Sequence, residues 1–274
     1  MFENHYRIAD IDVLVRREED HPISLFDGFE AEGDPAPQII FELYEKKKFS
    51  RRCYGIEYCK VTEDSPYLMS SQRYPQIRMT AGRTWEKMEI ESCEISEEGV
   101  MELFLTGFYS YLSLRGSILM HASAVMWNQE AVIFTAASGT GKTTQAELWA
   151  KYKKAEILNG DKMFIDARKN PCLAWGSPWR GSSSYALNKQ APLKAVVVLE
   201  QAKSNAIRRL EGVEALSRVS PHLFYTSWDA ECTGAVMESF SRIMRDVPVY
   251  LLSCRPDAEA VEVTCDRIWG AQEK

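Results

Sequence analysis

The stretch Ala136-Ala137-Ser138-Gly139-Thr140-Gly141-Lys142-Thr143 (AASGTGKT) decides the reading of this chain. It fits the looser form of the phosphate-loop (Walker A) pattern, with Ala136 where the first glycine usually stands, a position that needs only to be small. Glycines let backbone N–H groups turn inward around a phosphate where a side chain would collide. The lysine ammonium reaches the β- and γ-phosphates, and the threonine hydroxyl takes a place on Mg²⁺. A helix starting near Gly141 would aim its positive end at the same anion. The expected nucleotide-contacting set is Ala136, Ala137, Ser138, Gly139, Thr140, Gly141, Lys142, Thr143 and Thr144, with ATP and Mg²⁺ as the cofactors.

Just upstream lie two apolar runs, residues 118–127 (ILMHASAVMW) and 131–136 (AVIFTA), joined by Asn128-Gln129-Glu130. So short a polar connection requires an antiparallel hairpin, because a parallel crossover needs a dozen residues or more. Farther upstream, Ser96 can cap a helix whose first turn carries Glu97 and Glu98. Apolar residues then recur at helical spacing from Met101 to Leu112, and Gly116 suits its C-terminal end. Downstream, strands are expected at 156–158 and 163–166. Residues 193–200 (LKAVVVLE) form an unbroken apolar run, the mark of a strand buried on both faces. Helix, strand and helix follow over 228–245, 247–254 and 257–269. Strand–helix alternation implies an α/β domain with a mixed sheet over residues 95–274.

Residues 1–94 read differently. The segment 5–15 (HYRIADIDVLV) alternates with a shift of phase, as one strand with a bulge near Ala9. Further short strands are expected at 39–44, 53–61, 76–80 and 85–92, with a loop at 27–37 and a solvated charge run from Glu45 to Lys48 with Arg51 and Arg52. This is a β-rich, mostly antiparallel N-terminal region without chemistry of its own, suited to specificity or partner binding.

Composition bounds the function. The 274 residues are 45% hydrophobic and 26% charged, the balance of a folded globular chain. The formal net charge of −6 is of the wrong sign for a protein that covers nucleic-acid phosphates, so no nucleic-acid partner is expected. Seven cysteines, odd in number and scattered, suit neither a disulfide framework nor a zinc knuckle. No signal peptide or membrane-spanning run is visible, and a cytoplasmic location without membrane association is expected.

Taken together, Arg115-Gly116, the strand Met120-His121-Ala122-Ser123-Ala124-Val125, the loop at 138–143 and Asn159-Gly160-Asp161 resemble the C-terminal domain of HPr kinase/phosphorylase. More broadly, the chain resembles kinases of the phosphoenolpyruvate-carboxykinase-type P-loop fold. The resemblance is clearest over residues 115–200. It implies that Lys142 and Thr143 handle triphosphate and metal, that Asp161 binds Mg²⁺ or orients the acceptor, and that His121 lies near the γ-phosphate. It further implies an ATP-dependent kinase acting on a hydroxyl, either a serine of a peptide or protein or a small molecule. The pattern departs from the family at Gly160, where a second acidic residue is usual, so base duty falls to Asp161, to His121 or to nothing.

Other candidates are weighed beside these. Residues 175–184 (WGSPWRGSSS) suit a flexible lid or acceptor-binding segment in which Arg180 touches the transferred group. Alternatively, the two tryptophans simply pack a surface turn. Glu200, at the end of a hydrophobic strand, is either a surface charge or the activating acid of an ATP hydrolase. A nucleotide-binding regulatory or scaffold module, weakened by Gly160, is a third reading. His5, His21 and His222 are read as structural, and self-association into a homo-oligomer is left open.

Overall fold

The computed structural model describes residues 1–18, 26–46, 56–58, 67–71, 73–93 and 96–270, the strand 56–58 by its backbone alone. The chain is a mixed α/β protein with two mixed sheets and, among the described residues, five α-helices. It divides into two compact units, Met1–Leu114 and Arg115–Lys274. Among these helices, none is long and apolar enough to cross a membrane. Cys53, Cys59, His21 and most of the 45–52 charge run lie outside the described residues.

Among the described residues, the first unit is a seven-stranded sheet carrying one α-helix. Its strands are β1 (Phe2–Ile8), β2 (Ile11–Arg17), β3 (Ile39–Glu45), β4 (Ile56–Tyr58), β5 (Tyr67–Ser70), β6 (Ile77–Ala81) and β7 (Lys87–Ser92), in the order β1-β2-β3-β7-β6-β5-β4. One expectation needs correction. The single bulged strand at 5–15 is a hairpin: Ala9 (φ 50°) and Asp10 (φ 64°) make a two-residue turn, and Ile8 pairs with Ile11. The phase shift was the chain reversing, and both turn residues adopt the positive φ that primed turns demand. The sheet is mostly antiparallel, as expected, in the pairs β1–β2, β4–β5, β5–β6 and β6–β7, while β2–β3 and β3–β7 are parallel. The long connections over 18–38 and 46–86 permit what a hairpin forbids.

The helix α1 (Glu97–Ser113) belongs to this first unit, so the compact units part at 114/115, not at 94/95. Ser96 caps it, its Oγ accepting from the Gly99 N–H. Packing explains the placement. Phe104 stacks on Phe41 of β3 with ring centroids 3.3 Å apart, and a β-carbon on Gly107 would collide with Met88 Sδ of β7.

The second unit contains β8 (Ser117–Trp127), β9 (Glu130–Thr135), α2 (Lys142–Lys153), β10 (Glu156–Asn159), β11 (Lys162–Asp166), β12 (Leu173–Trp175), β13 (Gln190–Gln201) and β14 (Ala206–Leu210). After these come α3 (Gly212–Val219), β15 (Leu223–Phe224), α4 (Ala230–Asp246), β16 (Val249–Cys254) and α5 (Ala258–Trp269). The expected hairpin is present: β8 and β9 are antiparallel and turn through Asn128 (φ 49°) and Gln129 (φ 63°). Strand β13 runs parallel to both β9 and β16, and the remaining pairs are antiparallel.

Alternation along the central strands feeds two cores. Val196 and Val198 of β13 join Ile133 of β9 and the helices α3 and α4 on one face. Ala195, Val197 and Leu199 join Phe134 and the helices α2 and α5 on the other. That is why residues 193–200 show no polar alternation. Trp149 anchors α2 among Trp127, Phe134 and Trp269, with centroids 5.9, 6.2 and 5.6 Å away. Burying so large a side chain contributes about 3 kcal/mol and fixes the helix whose first residue is Lys142.

Candidate functional site

The loop sits where β9 ends and α2 begins. Gly139 (φ 78°) and Gly141 (φ 116°) both occupy the left-handed region that other residues avoid, which explains their spacing in the sequence. Ala137, Ser138 and Gly139 are exposed, while Ala136 is buried under the loop. The Ser123 hydroxyl of β8 donates to the Lys142 carbonyl at 2.6 Å and ties the start of α2 to the sheet. Lys142 itself is only 7% exposed. Its ammonium donates to the carbonyls of Ala136 at 3.1 Å and Ala137 at 3.4 Å. Burial pulls its pKa below the ordinary lysine value, with the negative charge of Asp161 pulling the other way.

Asp161 follows the tight turn between β10 and β11. Asn159 builds that turn, its Oδ1 accepting from the N–H groups of Asp161 (2.7 Å) and Lys162 (2.8 Å). Both strands pair with β8, and the register sets Lys162 opposite His121. The result is a 3.1 Å contact between His121 Nε2 and Asp161 Oδ1, with the Lys162 ammonium on the other carboxylate oxygen. Burial alone would raise the Asp161 pKa, but the His121 and Lys162 hydrogen bonds and charges win and hold it at about 2. At neutral pH this carboxylate is an anion with little appetite for a proton.

The loop is tied to the β10–β11 turn through Thr143, whose Oγ1 donates to the Gly160 carbonyl at 3.0 Å. Lys142, Thr143, His121 and Asp161, four of the expected site residues, are thereby gathered around the loop and the β10–β11 turn. Among the described residues there is no cluster of three or more His, Cys, Asp or Glu. A metal here would therefore rely on one hydroxyl, one carboxylate, phosphate oxygens and water, which is how Mg²⁺ is usually bound.

The segment 175–184 needs correction as a flexible lid. Gly176, Ser177, Pro178 and Trp179 are buried, and Trp179 packs edge-on against Phe164 at 5.9 Å. The Asn159 amide donates to the Ser177 carbonyl at 2.7 Å, and the Ser177 hydroxyl donates to the Lys162 carbonyl at 2.7 Å. Only the tip is exposed. There Gly181 (φ 60°) presses on Asp161, since a β-carbon at 181 would lie 2.7 Å from the carboxyl carbon. Arg180 begins this tip, and its guanidinium makes no ion pair among the described residues.

Two residues join the site that sequence reasoning did not favour. Glu200, at the end of β13, lines a cleft of about 670 Å³ with residues 136–140 of the loop. Its carboxylate accepts from Arg218 at 3.3 Å and from the Ser253 hydroxyl at 3.3 Å. His222, carried by the 3₁₀ turn Ser220–His222 after α3, lines the same cleft. Burial lowers its pKa, and the nearby His121 and the Lys142 ammonium lower it further. The sequence offers no local pattern for it, because its neighbours come from strands far away in the chain.

No protein-family model matches this chain, and no curated protein matches it. Among solved structures it is similar to the Hpr(Ser) kinase/phosphatase from Coxiella burnetii, at 10% sequence identity and a TM-score of 0.37. That similarity covers 56% of this chain and 98% of the other.

Proposed function

We propose that the Arg115–Lys274 unit binds Mg·ATP on the 136–143 loop and transfers the γ-phosphoryl group to a hydroxyl, of a serine in a peptide or protein or of a small molecule. The observation that carries this reading is the His121–Asp161 pair, 3.1 Å apart and tied to the loop through the Thr143–Gly160 bond. Phosphoryl transfer is mostly positioning and charge neutralisation, and these groups supply both. The acceptor oxygen attacks the γ-phosphorus, the bond to the β-phosphate oxygen breaks, and ADP leaves. With Nε2–H held by Asp161, His121 keeps the lone pair of its other nitrogen for the acceptor proton. Asp161, held at about 2, orients the imidazole and does not take the proton itself. Thr143 and Asp161 would hold the magnesium ion, which supplies positive charge beside the phosphate oxygens. Arg180, the residue before the Gly181 that abuts Asp161, would meet the transferred group.

The test is incubation of the purified chain with Mg²⁺ and γ-labelled ATP beside serine-containing peptides, proteins and small hydroxyl compounds. Label is expected on an acceptor; ATP bound normally with no transfer to any of them would count against the kinase. The cleft position of Glu200 favours one second reading, an ATP hydrolase. On the kinase reading Glu200→Gln leaves transfer within about threefold. On the hydrolase reading the same change abolishes phosphate release while Asp161→Asn does not.

Gly160 also bears on the weakened-module reading. A β-carbon there would lie 2.2 Å from Ser183 Oγ and 2.7 Å from Ser183 Cβ. Gly160→Asp is therefore expected to displace the 180–184 tip, to destabilise the fold by about 1–3 kcal/mol and to lower transfer. Denaturant midpoints and turnover of the variant check this. A gain of turnover would instead mark the wild type as a decayed kinase.

A further inference from the structure

The tip that lies on the β10–β11 turn consists of Arg180, Gly181 and three serines, Ser182, Ser183 and Ser184. Ser182 and Ser184 are exposed, whereas Ser183 is half-buried. The point where a β-carbon on Gly160 would stand is 2.2 Å from Ser183 Oγ and 3.7 Å from Thr143 Cγ2. The Ser183 side chain therefore shares one small patch of backbone with the loop threonine, whose own hydroxyl holds the Gly160 carbonyl. Two residues earlier in the tip, Gly181 abuts the Asp161 carboxyl group. The Ser183 hydroxyl donates to the Arg180 carbonyl at 2.7 Å, a local bond that opens whenever its side chain rotates. One serine of this chain is thus held beside Thr143 and Asp161, the two residues assigned above to the metal of the bound triphosphate.

From this we infer that Ser183 is a phosphoryl acceptor within the chain itself, modified in cis by the site it covers. The inference rests on the kinase reading above and names one acceptor for it. Ser183 Oγ attacks the γ-phosphorus of bound ATP, the bond from that phosphorus to the β–γ bridging oxygen breaks, and ADP leaves. The hydroxyl proton passes to the His121 imidazole, the base that serves any other acceptor. Because the hydroxyl is carried by the same chain, an internal step replaces a bimolecular encounter, and no outside acceptor is needed. The product is a phosphoserine of about −2 charge, and its repulsion from the Asp161 anion favours lifting of the tip from the turn.

The experiment incubates the full chain with Mg²⁺ and γ-labelled ATP, first with no acceptor added and then beside the peptides, proteins and small hydroxyl compounds of the transfer assay. Label is expected on the chain itself, rising to a single phosphoryl group, stable in acid as a serine ester is, and mapped by peptide mass spectrometry to Ser183. Diluting the protein about tenfold should leave the first-order rate unchanged, since an internal transfer has no partner to dilute. Ser183→Ala is expected to lose the label and Ser183→Thr to keep it at a lower rate. The double change Ser182→Ala with Ser184→Ala should also keep it. Melting and ATP titration show that each variant folds and binds, and the mapped position in the wild type decides the matter even where Ser183→Ala does not fold. A serine that only shapes the turn would give none of this labelling. Label on an added acceptor but not on the chain, label on Ser182 or Ser184, acid-labile label as on a histidine, or a rate that rises with protein concentration overturns the self-acceptor while sparing the kinase. ATP bound with neither the chain nor any acceptor labelled overturns the kinase reading as well.

Discussion

Lys142→Met is expected to reduce phosphoryl transfer by roughly a thousandfold, the scale set by removing a cation that meets charge developing in a transition state. The unliganded protein should nevertheless melt at the same temperature or slightly higher. The two outcomes share one cause. In the free protein the ammonium is 7% exposed and spends its hydrogen bonds on the Ala136 and Ala137 carbonyls. Its lowered pKa means that burial disfavours the charged form more than the nearby Asp161 charge favours it. The unfolded chain therefore holds this proton more tightly than the fold does. The penalty is complete at neutral pH and is relieved only as pH climbs through the native pKa toward the ordinary lysine range. Methionine has a similar length and no charge to desolvate. Labelled-ATP transfer and thermal melting of the same preparation read both effects. Retention of wild-type transfer would remove Lys142 from the chemistry, and with it the assignment of the loop.

What the sequence makes legible is what local geometry demands. Gly139 and Gly141 stand out because their backbone angles exclude other residues, and the loop is found by them. The β8–β9 hairpin is legible because three polar residues cannot span a crossover. His121 and Asp161 can be nominated from the resemblance, but their contact depends on the β8–β11 register that sets Lys162 against His121, and register leaves no mark in one sequence. The Ala9–Asp10 reversal was hidden because neither residue is the usual glycine or asparagine of a primed turn. The parallel pairs of the first sheet were hidden because long connections leave strand direction open. Glu200, Arg218 and His222 converge on one cleft through α3 and the 3₁₀ turn, short elements that the sequence reading leaves unassigned.

Asp161→Asn is expected to lower transfer by roughly a hundredfold to a thousandfold and to destabilise the fold by about 2 kcal/mol at neutral pH. The stability figure follows from the carboxyl pKa, brought from 3.8 to about 2 by His121 and Lys162 against the opposing effect of burial. A carboxylate whose native pKa is depressed stabilises the fold fully above its unfolded pKa, near 4. That contribution is lost as pH falls through about 2. The stability gap between wild type and Asp161→Asn should accordingly be widest above pH ~5 and close toward pH ~2. Denaturant unfolding across that range measures it. Asparagine keeps the size of the side chain and can still accept one hydrogen bond, but it leaves the Lys162 ammonium and the His121 imidazole facing a neutral amide. The imidazole then loses the carboxylate that fixes its tautomer, which is the second route by which transfer falls. In EDTA, wild type and variant should bind ATP alike, because the loop is untouched. Adding Mg²⁺ should tighten ATP binding in the wild type and do little in the variant. Were the variant to transfer phosphate at the wild-type rate, or to show a stability deficit that ignores pH, Asp161 would be a turn residue and the chemistry would have to be sought across the cleft, at Glu200.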